Sequence, residues 1–312
     1  NTLMGNVQRI ATLGDSIAQQ NSSALSFRAY GMVTSMLAYG GRQFAYDFTD
    51  NLAVFGSSIS AILSTQIPAL QAAQPTKNYG RVFISAGTND AGLTLAELKS
   101  GLMQIFVAVK ALGAIPVVWG ILPRGADGSL LANKKRNQAI CDWEYELSLT
   151  GIIEYHDFND IFADNSTAFG NCLATMMYDS VLHPSDRGAM LAGKRMATTY
   201  AALGYAPRMK FATQQADQFD RTDNPHGVAF KTPNPLMQGG TTAPTGMSTS
   251  GGTWSKVNIT LDNGQTQGVP QCVLAASTTH YLYDDHTTTG AWVSTEFQPG
   301  DVVEARALVT IT

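Results

Sequence analysis

Two kinds of hydrophobic pattern alternate over the first two hundred residues. Short, nearly continuous apolar runs occur at Gln8–Leu13, Leu52–Phe55, Arg81–Ser85, Ile115–Trp119 and Gly151–His156. Runs of this length predict strands buried on both faces. Longer stretches with helical spacing lie between them. In the clearest, Leu95, Leu98, Leu102, Ile105, Phe106 and Val109 share one face, which predicts a helix from about Leu95 to Leu112. Thr94, with Glu97 three residues later, reads as a capping box at its start. Further helices are expected over Ser129–Leu149 and Ser185–Leu203. Strand–helix alternation of this kind argues for an α/β domain, a parallel sheet covered by helices on both faces. Such sheets bind ligands beyond the carboxyl ends of their strands.

The pattern changes after about Pro207. Val257, Ile259 and Leu261 alternate with polar neighbours, as do Val303, Ala305, Ala307, Val309 and Ile311 with theirs. Alternation of period two, punctuated by Gly, Thr, Asn and Pro, predicts short half-buried strands. The expected organisation is a catalytic α/β domain over residues 1–207 and a small all-β sandwich domain over 208–312. The Gly-, Thr- and Ser-rich stretch Gly239–Gly252 is expected to be loop.

Composition narrows the function classes. Hydrophobic residues make up 44% of the 312 positions, enough for a sizeable core, while charged residues make up only 14%. The surface must therefore be built largely from uncharged polar side chains, a composition common outside the cytoplasm. A net charge of −4 without a basic cluster argues against nucleic acid as a partner. No apolar run approaches the roughly 20 residues of a membrane-spanning helix, so no membrane insertion is expected. The first residue is Asn1 rather than methionine, as in a processed or trimmed product. The three cysteines, Cys141, Cys172 and Cys272, allow one Cys141–Cys172 bridge or three separate thiols, and no CxxC pair suggests zinc.

The candidate chemistry lies in four separated segments. Gly14-Asp15-Ser16 follows the first predicted strand, Gly56 lies in Ala53–Ser58, Asn89 lies in Gly87–Asp90, and Asp179 precedes His183 by four residues. A serine hydroxyl needs a base to take its proton, and His183 can supply one near neutral pH. A carboxylate must hold that imidazole, and Asp179 is the nearest. The backbone N–H groups of Ser16 and Gly56 and the side-chain amide of Asn89 are candidate oxyanion donors. Asp15 is expected to brace the loop rather than react.

These four segments resemble the SGNH hydrolase superfamily, the GDSL-like esterases. The resemblance covers roughly residues 6–205. It implies a flavodoxin-like three-layer α/β/α domain and ester hydrolysis without metal or cofactor. One position departs from the family pattern, which usually has aspartate three residues before histidine. Here that position is Ser180, so either a one-residue bulge brings Asp179 back, or the acid is displaced, or the histidine relies on a backbone carbonyl.

The appended β-domain resembles carbohydrate-active arrangements, so the expected substrate is an O-acetylated polysaccharide or a small ester. Trp254 and Trp292, with Tyr281 and Tyr283, are candidate sugar-stacking residues; core packing is the plainer reading of them. The rival functions are a glycan-binding adhesin on an inactive esterase fold and a general short-chain esterase or lipase. His156 and His226 are left without a role. His280 and His286, flanking Asp284 and Asp285, read as a solvated loop rather than a metal site.

Overall fold

A computed structural model describes residues 8–21, 31–41, 43–125, 131–164, 166, 171–179, 181–205, 240–243, 247–250, 253–260, 266–273 and 281–284. The chain divides into two compact units, Asn1–Arg208 and Met209–Thr312.

In the first unit, β1 (Arg9–Gly14) leads into a short helix α1 (Ser16–Gln19) and then α2 (Met32–Tyr39). Next come α3 (Ile59–Ala61), a π-helical turn (Ile62–Gln66), α4 (Ile67–Lys77) and β2 (Tyr79–Ser85). They are followed by α5 (Leu95–Ala111), β3 (Ile115–Val118), α6 (Leu131–Leu149) and β4 (Glu154–Tyr155). The unit ends with α7 (Asn159–Phe162), the small ladder β5 (Ala163–Asp164) and β6 (Asn171–Cys172), and α8 (Asp186–Ala202).

Strands β1 to β4 pair in sequence order, all parallel. Successive side chains leave a strand on opposite faces, and the core divides accordingly. Ile10, Phe83 and Val117 pack with Met32 and Met36 of α2 and Ala192 and Met196 of α8. Ala11, Leu13, Val82, Ile84 and Val118 pack on the other side with Leu70 of α4, Leu102 and Phe106 of α5, and Ile140 of α6. The result is the three-layer α/β/α arrangement. The capping box of α5 is present, with the Thr94 hydroxyl accepting from the Glu97 N–H and the Glu97 carboxylate accepting from the Thr94 N–H.

Two expectations in this unit need correction. Leu52–Phe55 is not a strand. It runs beside β1 through a single bridge, Thr12 to Asn51, with the N–H groups of Leu52 and Val54 donating to Thr12 and Gly14. The turn at Phe55-Gly56 ends the pairing before a ladder forms. The expected strand Gly151–His156 shortens to Glu154–Tyr155, the two residues in register with Val117 and Val118 of β3. Cys141 keeps its thiol, which donates to the Ile121 carbonyl at 3.7 Å, so the Cys141–Cys172 bridge is not formed.

The amino ends of the strands are closed by charge. Arg81 pairs with Glu154 at 2.7 Å, and Arg9 pairs with the buried Asp50, which also accepts from the Tyr79 hydroxyl. The carboxyl ends stay open, and the site lies there.

In the second unit, β8 (Thr253–Thr260) pairs antiparallel with β9 (Thr266–Val273), and β7 (Met247–Ser250) with β10 (Tyr281–Asp284). Strand β8 covers most of the alternating run at Val257. Strand β7 falls inside the stretch expected to be loop, a correction. The expected strand around 303–311 lies outside the described residues. Among the described residues, no helix is long and apolar enough to cross a membrane.

Candidate active site

The nucleophile position is made by the end of β1. Gly14 has φ of +132°, and a Cβ there would stand 2.0 Å from the Ser85 carbonyl oxygen of β2. Only glycine tolerates both the backbone angle and the approach. The Asp15 N–H then donates to that same carbonyl at 3.1 Å. Asp15 caps α1, accepting from the Ile17 N–H at 2.9 Å and the Ser85 hydroxyl at 3.1 Å. Burial pushes the Asp15 carboxyl up to about 6, against these hydrogen bonds. Asp15 braces the turn, and Ser16 stands at the first position of α1 with its hydroxyl facing His183.

His183 Nε2 lies 2.8 Å from Ser16 Oγ, and His183 Nδ1 lies 2.6 Å from Asp179 Oδ2. The three side chains form one continuous relay. The four-residue spacing is absorbed by a closed loop. The Tyr178 N–H donates to the His183 carbonyl at 2.9 Å, and Met177 bridges Pro184. Within that loop Asp179 Oδ1 accepts the N–H groups of Val181, Leu182 and His183 at 3.0, 2.8 and 3.1 Å. Partial burial pushes the Asp179 carboxyl up. The Leu182 N–H, the imidazole and the other two N–H groups more than reverse this and hold it at about 2. Despite its offset, Asp179 therefore stands at His183 Nδ1, where an acid is needed.

The second and third segments meet beside this relay. Val54 and Ser57 close a turn, Ser57 N–H to Val54 carbonyl at 3.2 Å, with Gly56 third in the turn at φ of +72°. That left-handed angle at the third position is the type II geometry that favours glycine. Among the described residues, neither the Ser16 N–H nor the Gly56 N–H has a protein acceptor. The Asn89 amide donates to the Ser57 carbonyl at 3.1 Å, which ties it to the Gly56 turn. Asp90 takes the Ile59 N–H at the start of α3, and Arg136 of α6 donates to the carbonyls of Asp90, Ala91 and Leu93.

Three contributors were not among the candidate residues. Gln66, in the π-helical turn, accepts from the Gly14 N–H at 2.7 Å, and donates to the Gly14 carbonyl at 2.8 Å and to Ser57 Oγ at 3.0 Å. One amide thus ties the nucleophile turn to the Gly56 turn. Phe55 stacks on the His183 ring at 6.4 Å and Tyr178 lies against it at 5.5 Å. Both are exposed, at 71% and 65%. The π-turn is a recurrent mark of functional sites, but nothing in the sequence around Gln66 announces it.

Trp254 sits half-buried in β8 of the second unit. Trp292, His226, His280 and His286 lie outside the described residues. His156 is buried against Tyr200, and burial lowers it to about 4, so it is neutral at physiological pH. Among the described residues no cluster of three metal-ligating side chains occurs.

A serine–histidine–aspartate relay at the carboxyl edge of a three-layer α/β/α sheet defines the class of serine hydrolases. Residues 12–191 match the GDSL-like Lipase/Acylhydrolase family. The chain belongs to that family, within the SGNH superfamily of esterases and lipases. Solved structures with similarity include a member of the lipolytic protein G-D-S-L family from Veillonella parvula, at 16% identity and TM-score 0.47, covering 62% of this chain and 97% of that one. A GDSL-like lipase from Bacteroides thetaiotaomicron is similar at 12% identity and TM-score 0.46, covering 62% and 89%. An acetyl xylan esterase is similar at 14% identity and TM-score 0.44, covering 61% and 98%. At such values these likenesses say nothing of substrate. No curated protein matches the chain in sequence.

Proposed function

We propose that the protein is a serine esterase that removes O-acetyl groups from a polysaccharide through an acyl-enzyme. The observation that carries the reading is the pair of contacts at His183, 2.8 Å to Ser16 Oγ and 2.6 Å to Asp179 Oδ2. Ser16 Oγ attacks the ester carbonyl carbon while His183 Nε2 takes its proton. Asp179 keeps the other ring nitrogen protonated and stabilises the imidazolium. The N–H groups of Ser16 and Gly56 and the Asn89 amide receive the oxyanion. Collapse of the tetrahedral intermediate breaks the bond to the sugar oxygen, which leaves with the proton from His183. Water then attacks the acyl-serine, His183 takes a proton from it, and acetate departs as Ser16 recovers its own.

The preference for a glycan ester is supported by the low-charge, polar composition and by the strands of the second unit. We read residues 208–312 as a β-sandwich accessory domain, with Trp254 and Trp292 as candidate sugar contacts, and the protein as extracellular or virion-associated. These are analogies of architecture.

The test is a fluorophosphonate probe followed by peptide mapping, together with acetate release from acetylated glycans. Labelling of Ser16, lost in Ser16→Ala, with acetyl esters preferred over long acyl chains, is the expected result. A preference for long acyl chains would favour the lipase reading. A wild type that takes no label and binds glycan would favour the adhesin.

A further inference from the structure

A second concavity lies along the same sheet edge. It is a pocket of about 240 Å³ beyond the carboxyl ends of β3 and β4. The segment after β3 supplies Trp119, helix α6 supplies Gln138, Asp142 and Tyr145 on one face, and the segment after β4 supplies Asp157 and Asn159. None of these residues belongs to the relay at Ser16.

The lining selects a ligand class. Among the described residues no Lys, Arg or His lines the pocket, while two carboxylates do, which disfavours an anion. Trp119 is 2% exposed, and among the described residues its indole N–H has no hydrogen-bond partner. A buried donor in that state asks for an acceptor, which a bare ammonium cannot offer. The Asp142 and Asp157 carboxylates accept only, and so ask for donors. Asp142 already takes the Gln138 amide at 2.9 Å and keeps further acceptor capacity. A neutral ring carrying several hydroxyl groups meets both demands at once, since each hydroxyl donates and accepts. Tyr145 is 54% exposed and stands edge-on to Tyr155 at 6.3 Å. Its exposed aromatic surface suits the C–H face of such a ring.

We propose that this pocket is a saccharide-binding subsite, specific for an uncharged sugar ring and separate from the catalytic relay. The pocket joins the catalytic edge through one segment. Beyond Pro123, Gly125 donates to the Val181 carbonyl in the His183 loop at 2.8 Å. Neighbouring strands stand about 4.8 Å apart, so β1 and the β3–β4 edge are separated by about 10–14 Å. One short oligosaccharide can reach from the pocket to Ser16. The subsite names the carbohydrate part of the substrate proposed above, but its existence does not depend on hydrolysis.

The test is saturation-transfer NMR and calorimetry on the full chain with neutral trisaccharides: xylotriose, cellotriose, mannotriose and the N-acetylglucosamine trimer. Choline and inorganic phosphate serve as the cationic and anionic comparisons. The expected result is binding of at least one trisaccharide, weakened by about tenfold or more in Tyr145→Ala and in Asp142→Ala. Both residues are exposed, so the fold is retained. Ser16→Ala is expected to bind as the wild type does, which separates this subsite from the esterase reading. No trisaccharide binding, binding unchanged in both pocket variants, or binding of choline or phosphate instead would overturn the proposal.

Discussion

Asp179→Asn is the sharpest perturbation of the relay, because the loop dictates how the new amide must sit. Asp179 Oδ1 accepts three backbone N–H groups, while Oδ2 faces His183 Nδ1. In the variant the amide oxygen must keep the three N–H groups, since an NH2 there would oppose three donors. The NH2 is then forced against His183 Nδ1, which must become an acceptor. The ring proton moves to Nε2 and points at Ser16 Oγ, so the imidazole cannot take the serine proton. A wrong tautomer of this kind in a serine triad costs about 10⁴ in kcat, or about 5.5 kcal/mol of barrier. The loop itself persists, because its three N–H bonds survive. The assay is kcat and KM on p-nitrophenyl acetate from pH 5 to 9, with circular dichroism as the folding control. KM should change little. A folded variant that keeps a tenth or more of wild-type kcat would refute this account of Asp179. In the wild type the carboxyl is held at about 2, below its usual 3.8. Its contribution to folding is therefore complete above 3.8 and lost as pH falls towards 2.

Three further outcomes follow from the same geometry. Asn89→Ala should lower kcat by about 10²–10³ with little change in KM, as loss of one oxyanion donor does, and steady-state kinetics on an acetyl ester checks it. Gln66→Leu removes the amide that clasps Gly14 and Ser57; it should lower kcat and melting temperature together, read by thermal unfolding beside kinetics. Glu144 of α6 is 3% exposed, and burial raises its carboxyl from 4.5 to about 8. Its protonated form favours the fold, so the contribution of this one carboxyl is fully present below 4.5 and is lost as pH rises towards 8, by at most about 5 kcal/mol. Glu144→Gln should flatten that part of the denaturation-against-pH curve, and an unchanged slope would count against it.

The candidate nucleophile, its candidate base and the third segment could be picked out because their patterns are local: a tight turn after a strand, a histidine near an acid, an Asn after a glycine. The layers were legible because periodicity records which face is buried. Helix α5 begins at Leu95 as its capping box requires. What the sequence could not show depends on partners far away in the chain. Gln66 matters only because it meets Gly14 across 52 residues. Phe55 reads as the end of a buried strand, and folding instead sets it, with Tyr178, against the His183 ring. The run Leu52–Phe55 has strand composition, yet Gly56 turns it away from β1. The offset of Asp179 was also unreadable, since it depends on three amides folding back on one carboxylate oxygen.

The loop between Tyr178 and His183 carries its own scaffolding, because the aspartate that serves the histidine also gathers the loop's amides. Acid and base therefore travel as one self-organised unit, and the count of residues between them is free to vary while the carboxylate retains both duties. A search pattern written as Asp-x-x-His would pass over His183 and stop instead at Asp223 and His226. One written on the paired duties of a single aspartate, amides on one oxygen and imidazole on the other, would find His183.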